Sequence, residues 1–76
     1  VGAAVHSLAA VGHGCPDLLV GYRGVTYLLE VKDGAKSPSQ RALTQDQRQW
    51  HGMWTGGPLR VVDSLESAVS AVMAAA

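Results

Sequence analysis

Cysteine is almost absent from this chain. Cys15 stands alone, so no disulfide can form within it, and a lone thiol fits a reducing compartment, where structural disulfides are rare. Charge is also sparse and balanced: six Lys and Arg against six Asp and Glu give a formal net charge of +0. No global attraction to a polyanion follows, and any binding of nucleic acid must come from a local patch. No signal peptide is visible, and the C-terminal apolar stretch is too short to span a bilayer. A cytoplasmic protein with no membrane partner is therefore expected. There is no internal repeat. What is present is 76 residues, 47% apolar and 16% charged, a globular composition. One small domain over residues 1–76 is expected, with a core that is marginal on its own.

The densest information lies in two short segments, Gly14-Cys15-Pro16-Asp17 and Glu30-Val31-Lys32. Asp17 to Tyr22 and Val25 to Lys32 are rich in Val, Leu and Tyr, and only Arg23-Gly24 separates them. Two such runs joined by a two-residue link containing Gly predict a β-hairpin. With Arg23-Gly24 as the turn, Tyr22 pairs with Val25 and Asp17 falls opposite Glu30. Side chains alternate between faces. One face then carries Asp17, Leu19, Leu28, Glu30 and Lys32, and the other Leu18, Val20, Tyr22, Val25, Tyr27, Leu29 and Val31.

Directly opposed residues have Cβ atoms roughly 4.5–5.5 Å apart, and like charges there repel. A divalent cation between Asp17 and Glu30 removes the conflict, because hard cations take carboxylate oxygens. Lys32 shares that face, where its ammonium can orient or activate a water or steady charge on a transferring phosphate. Taken alone, Glu-x-Lys is common enough to be an ordinary solvated ion pair. The opposing Asp17 and the Gly-x-Pro turn before it raise its weight.

Elsewhere the pattern predicts a strand around Ala3 to Leu8, a loop through Gly12-His13-Gly14 and a loop from Asp33 to Gln40. A helix is expected from about Leu43 to Thr55. Thr44 and Gln47 fit a capping box, and Gln47, Trp50, His51 and Trp54 share one helix face. Gln47 therefore reads equally as a cap partner and as a site residue. Trp50 and Trp54 read as core or dimer-interface anchors, and Tyr22 and Tyr27 as sheet packing. Leu59 to Val62 is a short strand. Asp63 is expected to cap a last helix, with Glu66 three residues on and Leu65, Ala68, Val69, Val72 and Met73 as its apolar stripe. Cys15 reads as a small buried residue. The order β-β-β-α-β-α implies an α/β fold with a mixed sheet and helices packed on it.

The runs GCPDLLVGYRGVTYLLEVKDG and LTQDQRQWHGMWTGGPLRVVDSLESAV resemble the stand-alone VRR-NUC domain of the PD-(D/E)xK nuclease superfamily, from about Gly12 to Val72. That resemblance implies a restriction-endonuclease-like core and cleavage of DNA that depends on Mg²⁺ or Mn²⁺. By position, Asp17, Glu30 and the backbone carbonyl of Val31 would be metal ligands. Lys32 would be the catalytic lysine, and Gln47 the glutamine that faces the site from the following helix. Small stand-alone members resemble phage-encoded proteins and are associated with homodimers and branched DNA such as Holliday junctions, so a bacterial or phage source is implied. The family also begins with a helix that has no counterpart ahead of the first strand here; a domain without that helix is the expectation. His6 and His13 match no motif position.

Lys36, Arg41 and Arg48 flank the site's loop and helix and are candidate phosphate contacts, which position a duplex without reading its sequence. No base-reading motif is evident, so cleavage guided by DNA structure is expected. The alternative is a non-catalytic DNA-binding or dimerisation module that keeps the nuclease fold.

Overall fold

The computed structural model describes residues 2–75. In chain order the elements are β1 (Ala4–Ser7), β2 (Leu18–Tyr22), β3 (Val25–Val31), α1 (Pro38–Arg41), α2 (Gln45–Met53), β4 (Leu59–Val62) and α3 (Leu65–Ala75). The strands form one mixed sheet in the order β1-β2-β3-β4. β1 pairs with β2 and β2 with β3 antiparallel, while β4 lies parallel to β3. The parallel step needs a crossover, and α1 and α2 supply it. The expected α/β class and mixed sheet are therefore present. The element order differs by one helix, α1, inside the segment expected to be a loop.

That difference has a local cause. Ser37-Pro38-Ser39-Gln40 places Pro in the first turn, where its missing N–H is not needed. Gln40 Oε1 accepts from the Ser37 N–H at 3.4 Å. α2 is two residues shorter at each end than expected. Thr44 is its N-cap, its Oγ1 accepting from the Gln47 N–H at 3.2 Å.

The hairpin turns at Arg23-Gly24, where both residues take positive φ (49° and 79°). That conformation suits the right-handed twist of the paired strands. Tyr22 pairs with Val25 and Leu18 with Leu29, which is the expected register. The two faces are accordingly divided as expected. Val20, Tyr22, Tyr27, Leu29, Val62 and Val72 form the core, with Ala68 and Ala71 packed against it. α3 thus covers the Tyr27–Leu29 face. Tyr27 is wholly buried, in keeping with a packing role.

α3 departs from expectation in its stripe and its cap. Its buried face runs through Ala68, Ala71 and Val72, at i, i+3 and i+4. Leu65, Val69 and Met73 are 81%, 37% and 48% exposed. The two alanines sit on the sheet, and the larger residues flank the contact. The cap is a serine pair rather than Asp63 with Glu66. Ser64 Oγ accepts from the Ser67 N–H, and Ser67 Oγ accepts from the N–H groups of Asp63 and Ser64, each at 3.0 Å. The Asp63 carboxylate points instead to Arg41. Among the described residues no helix is long and apolar enough to cross a membrane.

Candidate functional site

The site lies on the sheet face opposite α3. The regular pairing ends at Leu18–Leu29, and past it the Asp17 N–H donates to the Leu29 carbonyl at 3.0 Å. The Asp17 side chain turns toward β3, where Oδ2 accepts from the Val31 N–H at 2.7 Å. Pro16, just before it, is fully buried. Gly14 begins the approach with φ 87°, and a Cβ there would run into the Asp46 carbonyl and lie 2.9 Å from Gln47 N. Only glycine lets this loop pass so close to the first turn of α2. That close passage sets the Gly14 loop against the start of α2.

Glu30 is 1% exposed. Its Oε2 accepts from Gln47 Nε2 at 3.2 Å, and its Oε1 lies 3.4 Å from His51 Nε2. Lys32 Nζ donates to Gln47 Oε1 at 2.7 Å. The same Gln47 oxygen accepts from the Thr44 N–H at 2.9 Å. Both readings of Gln47 therefore hold: it closes the capping box, and it bridges Lys32 to Glu30. Asp17, Glu30, Lys32 and Gln47 are assembled in one place.

Electrostatics mark the same place. The Glu30 carboxyl is raised from 4.5 to about 7, chiefly by burial, then by a hydrogen bond with Asp17 and the Asp17 charge, while Lys32 pulls it down. Cys15 is half-buried rather than buried, and desolvation followed by the Glu30 and Asp17 charges raises its thiol, which keeps it protonated and argues against a nucleophile. Burial and then the Lys32 charge lower His51 from 6.5. At neutral pH His51 is uncharged, so its contact with Glu30 is a hydrogen bond rather than an ion pair.

Among the described residues no group of three or more His, Cys, Asp and Glu is placed to hold a metal ion. The donors that the resemblance implies are the Asp17 and Glu30 carboxylates and the Val31 carbonyl; here one Asp17 oxygen and both Glu30 oxygens have hydrogen-bond partners. These hard oxygen donors suit Mg²⁺ or Mn²⁺, which keep waters on their remaining positions. The raised Glu30 is the second point of fit, because a cation there offsets the repulsion that burial intensifies.

The histidine at the site is His51, not His6 or His13. His6 lies on the exposed edge strand β1, and His13 lines a different cleft. His51 follows Gln47 by four residues, and that helical spacing was the available signal. Trp50 and Trp54 are not core residues. They stack at 5.2 Å and line a surface cleft of 510 Å³ with His13, Asp46, Gln49 and Met53. Trp50 is half-buried and Trp54, the C-cap of α2, is exposed, so neither indole enters the core.

Of the three candidate phosphate contacts, Arg41 shares a cleft with Lys32. Lys36 is exposed after β3. Arg48 Nη1 donates to the Leu43 carbonyl at 2.8 Å. Arg41 Nη1 lies 3.6 Å from Asp63 Oδ2. Comparison of the chain with protein-family models, curated proteins and solved structures gave no match.

Proposed function

We propose that the protein is a metal-dependent endonuclease that hydrolyses phosphodiester bonds in DNA, with a restriction-endonuclease-like core of the VRR-NUC type. The observation that carries this reading is Asp17 set against a buried Glu30 whose carboxyl is raised to about 7, with Lys32 held on the same face through Gln47. Asp17, Glu30 and the Val31 carbonyl would hold Mg²⁺ or Mn²⁺, and the bound cation supplies neutralisation of the phosphate charge and an acidified water. The chain's own residues then have distinct tasks. Gln47 fixes the Lys32 ammonium, and that ammonium orients the attacking water and steadies charge on the phosphate. Glu30, poised near neutrality, can take up a proton as the site fills and empties. Lys36, Arg41 and Arg48 would hold the DNA backbone. With no base-reading element, selection would follow DNA structure, a branched junction above all, and symmetric cutting of a junction requires two sites in a C2 homodimer.

One observation favours a second reading, a DNA-binding or dimerisation module without catalysis: both Glu30 oxygens already have partners on α2. Isothermal titration with Mn²⁺ separates the two. Cutting of junction, flap or duplex DNA in Mg²⁺ or Mn²⁺, lost in Glu30→Ala with the fold intact, supports the nuclease. DNA binding with neither metal uptake nor cutting supports the module.

A further inference from the structure

The geometry points to a phosphate subsite between Lys32 and Arg41, which takes a DNA phosphodiester adjacent to the bond served by Lys32, with Asp63 as the resting partner that this phosphate displaces from Arg41. The inference rests on the nuclease reading and adds a specific contact to it.

A cleft of 270 Å³ is lined by Lys32, Arg41, Val61, Val62 and Asp63. Two of its walls carry positive charge, and the valines lower the local polarity between them, which strengthens attraction for an anion. Lys32 spends one donor on Gln47, and an ammonium has three. Arg41 is the less settled group. Its Nη1 lies 3.6 Å from Asp63 Oδ2, beyond hydrogen-bonding length. Its Nε is buried with no acceptor. A buried donor without a partner is unfavourable and calls for an explanation, such as a ligand.

The guanidinium edge formed by Nε and one Nη matches two oxygens of a phosphate. Turning from Asp63 to a phosphate in the cleft would satisfy Nε and replace one long contact with a fork. The swing is cheap in packing, because Arg41 ends the four-residue helix α1, which has no buried residue. Asp63 is then a positioning residue. It holds the arginine over the cleft and competes with the phosphate for it.

A double-mutant cycle read by DNA binding tests this. The probe is a labelled four-way junction in EDTA, where cutting does not interfere, with fluorescence anisotropy at several salt concentrations. Arg41→Gln should weaken binding about 10-fold, as for loss of a charge-assisted phosphate contact, and lower the salt slope by about 0.9. Asp63→Asn should tighten binding about threefold in the wild-type background and leave it unchanged in the Arg41→Gln background, where Asp63 has no guanidinium to hold back from the phosphate. Arg41→Lys keeps the charge but not the fork. It should keep the salt slope yet bind about threefold more weakly than wild type. Equal tightening by Asp63→Asn in both backgrounds, or wild-type binding by Arg41→Lys, overturns the subsite and leaves the nuclease reading standing. Failure of every protein, wild type included, to bind the junction in EDTA and to cut it in Mn²⁺ overturns both.

Discussion

Glu30→Gln isolates the electrostatic state of the site. Glu30 titrates near 7 in the folded protein, against 4.5 ordinarily. The folded state therefore holds this proton more tightly than the unfolded chain does. Stability from this group is fully present below pH 4.5 and falls as pH rises through about 7. Between about pH 5 and about pH 8 the loss is about 2.5 kcal/mol. Gln has a similar shape, keeps a donor and an acceptor, and does not titrate. His51 works in the opposite direction: its pKa is lowered, so its contribution is present above 6.5 and lost as pH falls. It stands in both proteins and cancels to first order in the difference. The assay is urea unfolding at the two pH values, followed by the fluorescence of Trp50 and Trp54. The variant should gain on the wild type by about 2.5 kcal/mol between them, a large share of the roughly 4–11 kcal/mol usual for a chain of this length. A pH-independent gap would show that Glu30 titrates normally and would refute the reasoning. A gap that moves the other way would mean that the attraction of Lys32 outweighs burial and Asp17. With saturating Mn²⁺ the ionised carboxylate is favoured, and the pH dependence should shrink if Glu30 is a ligand.

Four further outcomes are expected. Tyr27→Phe should stabilise by about 1 kcal/mol, read as a rise in Tm of about 4–8 °C, because the Tyr27 hydroxyl is buried without a partner. Gly14→Ala should cost more than about 1 kcal/mol in urea unfolding, since φ is 87° and a Cβ meets the Asp46 backbone. Gln47→Ala should cost about 2 kcal/mol by the same assay, combining loss of a cap with loss of the buried bridge to Glu30. On the nuclease reading, Lys32→Ala should lower the rate of DNA cutting by at least about 100-fold with an unchanged far-UV spectrum.

The hairpin was legible because two signals agreed: a two-residue link with Gly, and runs rich in Val, Leu and Tyr on both sides of it. Register then placed Asp17 against Glu30 without any long-range information. α2 was legible from Thr44 and Gln47, but its partner face was not. Periodicity showed that Gln47 and His51 share a face, and only the fold shows that this face closes on Glu30 while the tryptophans remain at the surface. α1 escaped because Ser, Pro and Gln favour both a loop and a helix start. The stripe of α3 was right at Ala68 and Val72 but missed Ala71, because alanines carry little hydrophobic weight in a sequence, yet their small size brings the helix close to the sheet. Asp63 was assigned to the cap on residue type, and Ser64 and Ser67 satisfied those backbone donors first.

The site and the fold use the same atoms, and this bears on why the carboxylate conflict persists. Gln47 Oε1 accepts from the Thr44 N–H and from Lys32 Nζ, so the start of α2 and the position of the lysine are one structural event. Gly14 makes that event possible by letting the Asp17 loop approach. A fold selected for stability alone would hold a neutral amide at position 30, where Gln47 and His51 could still hydrogen-bond to it and no charge would be buried beside Asp17. Keeping a titrating carboxylate there costs about 3 kcal/mol at high pH, in a chain with little core to offset it. Local rules broken at one point, amid a neighbourhood that otherwise obeys them, are the pattern expected of a site kept for its chemistry. The pH response of Glu30→Gln measures the size of that sacrifice, and metal titration tests whether a cation offsets it.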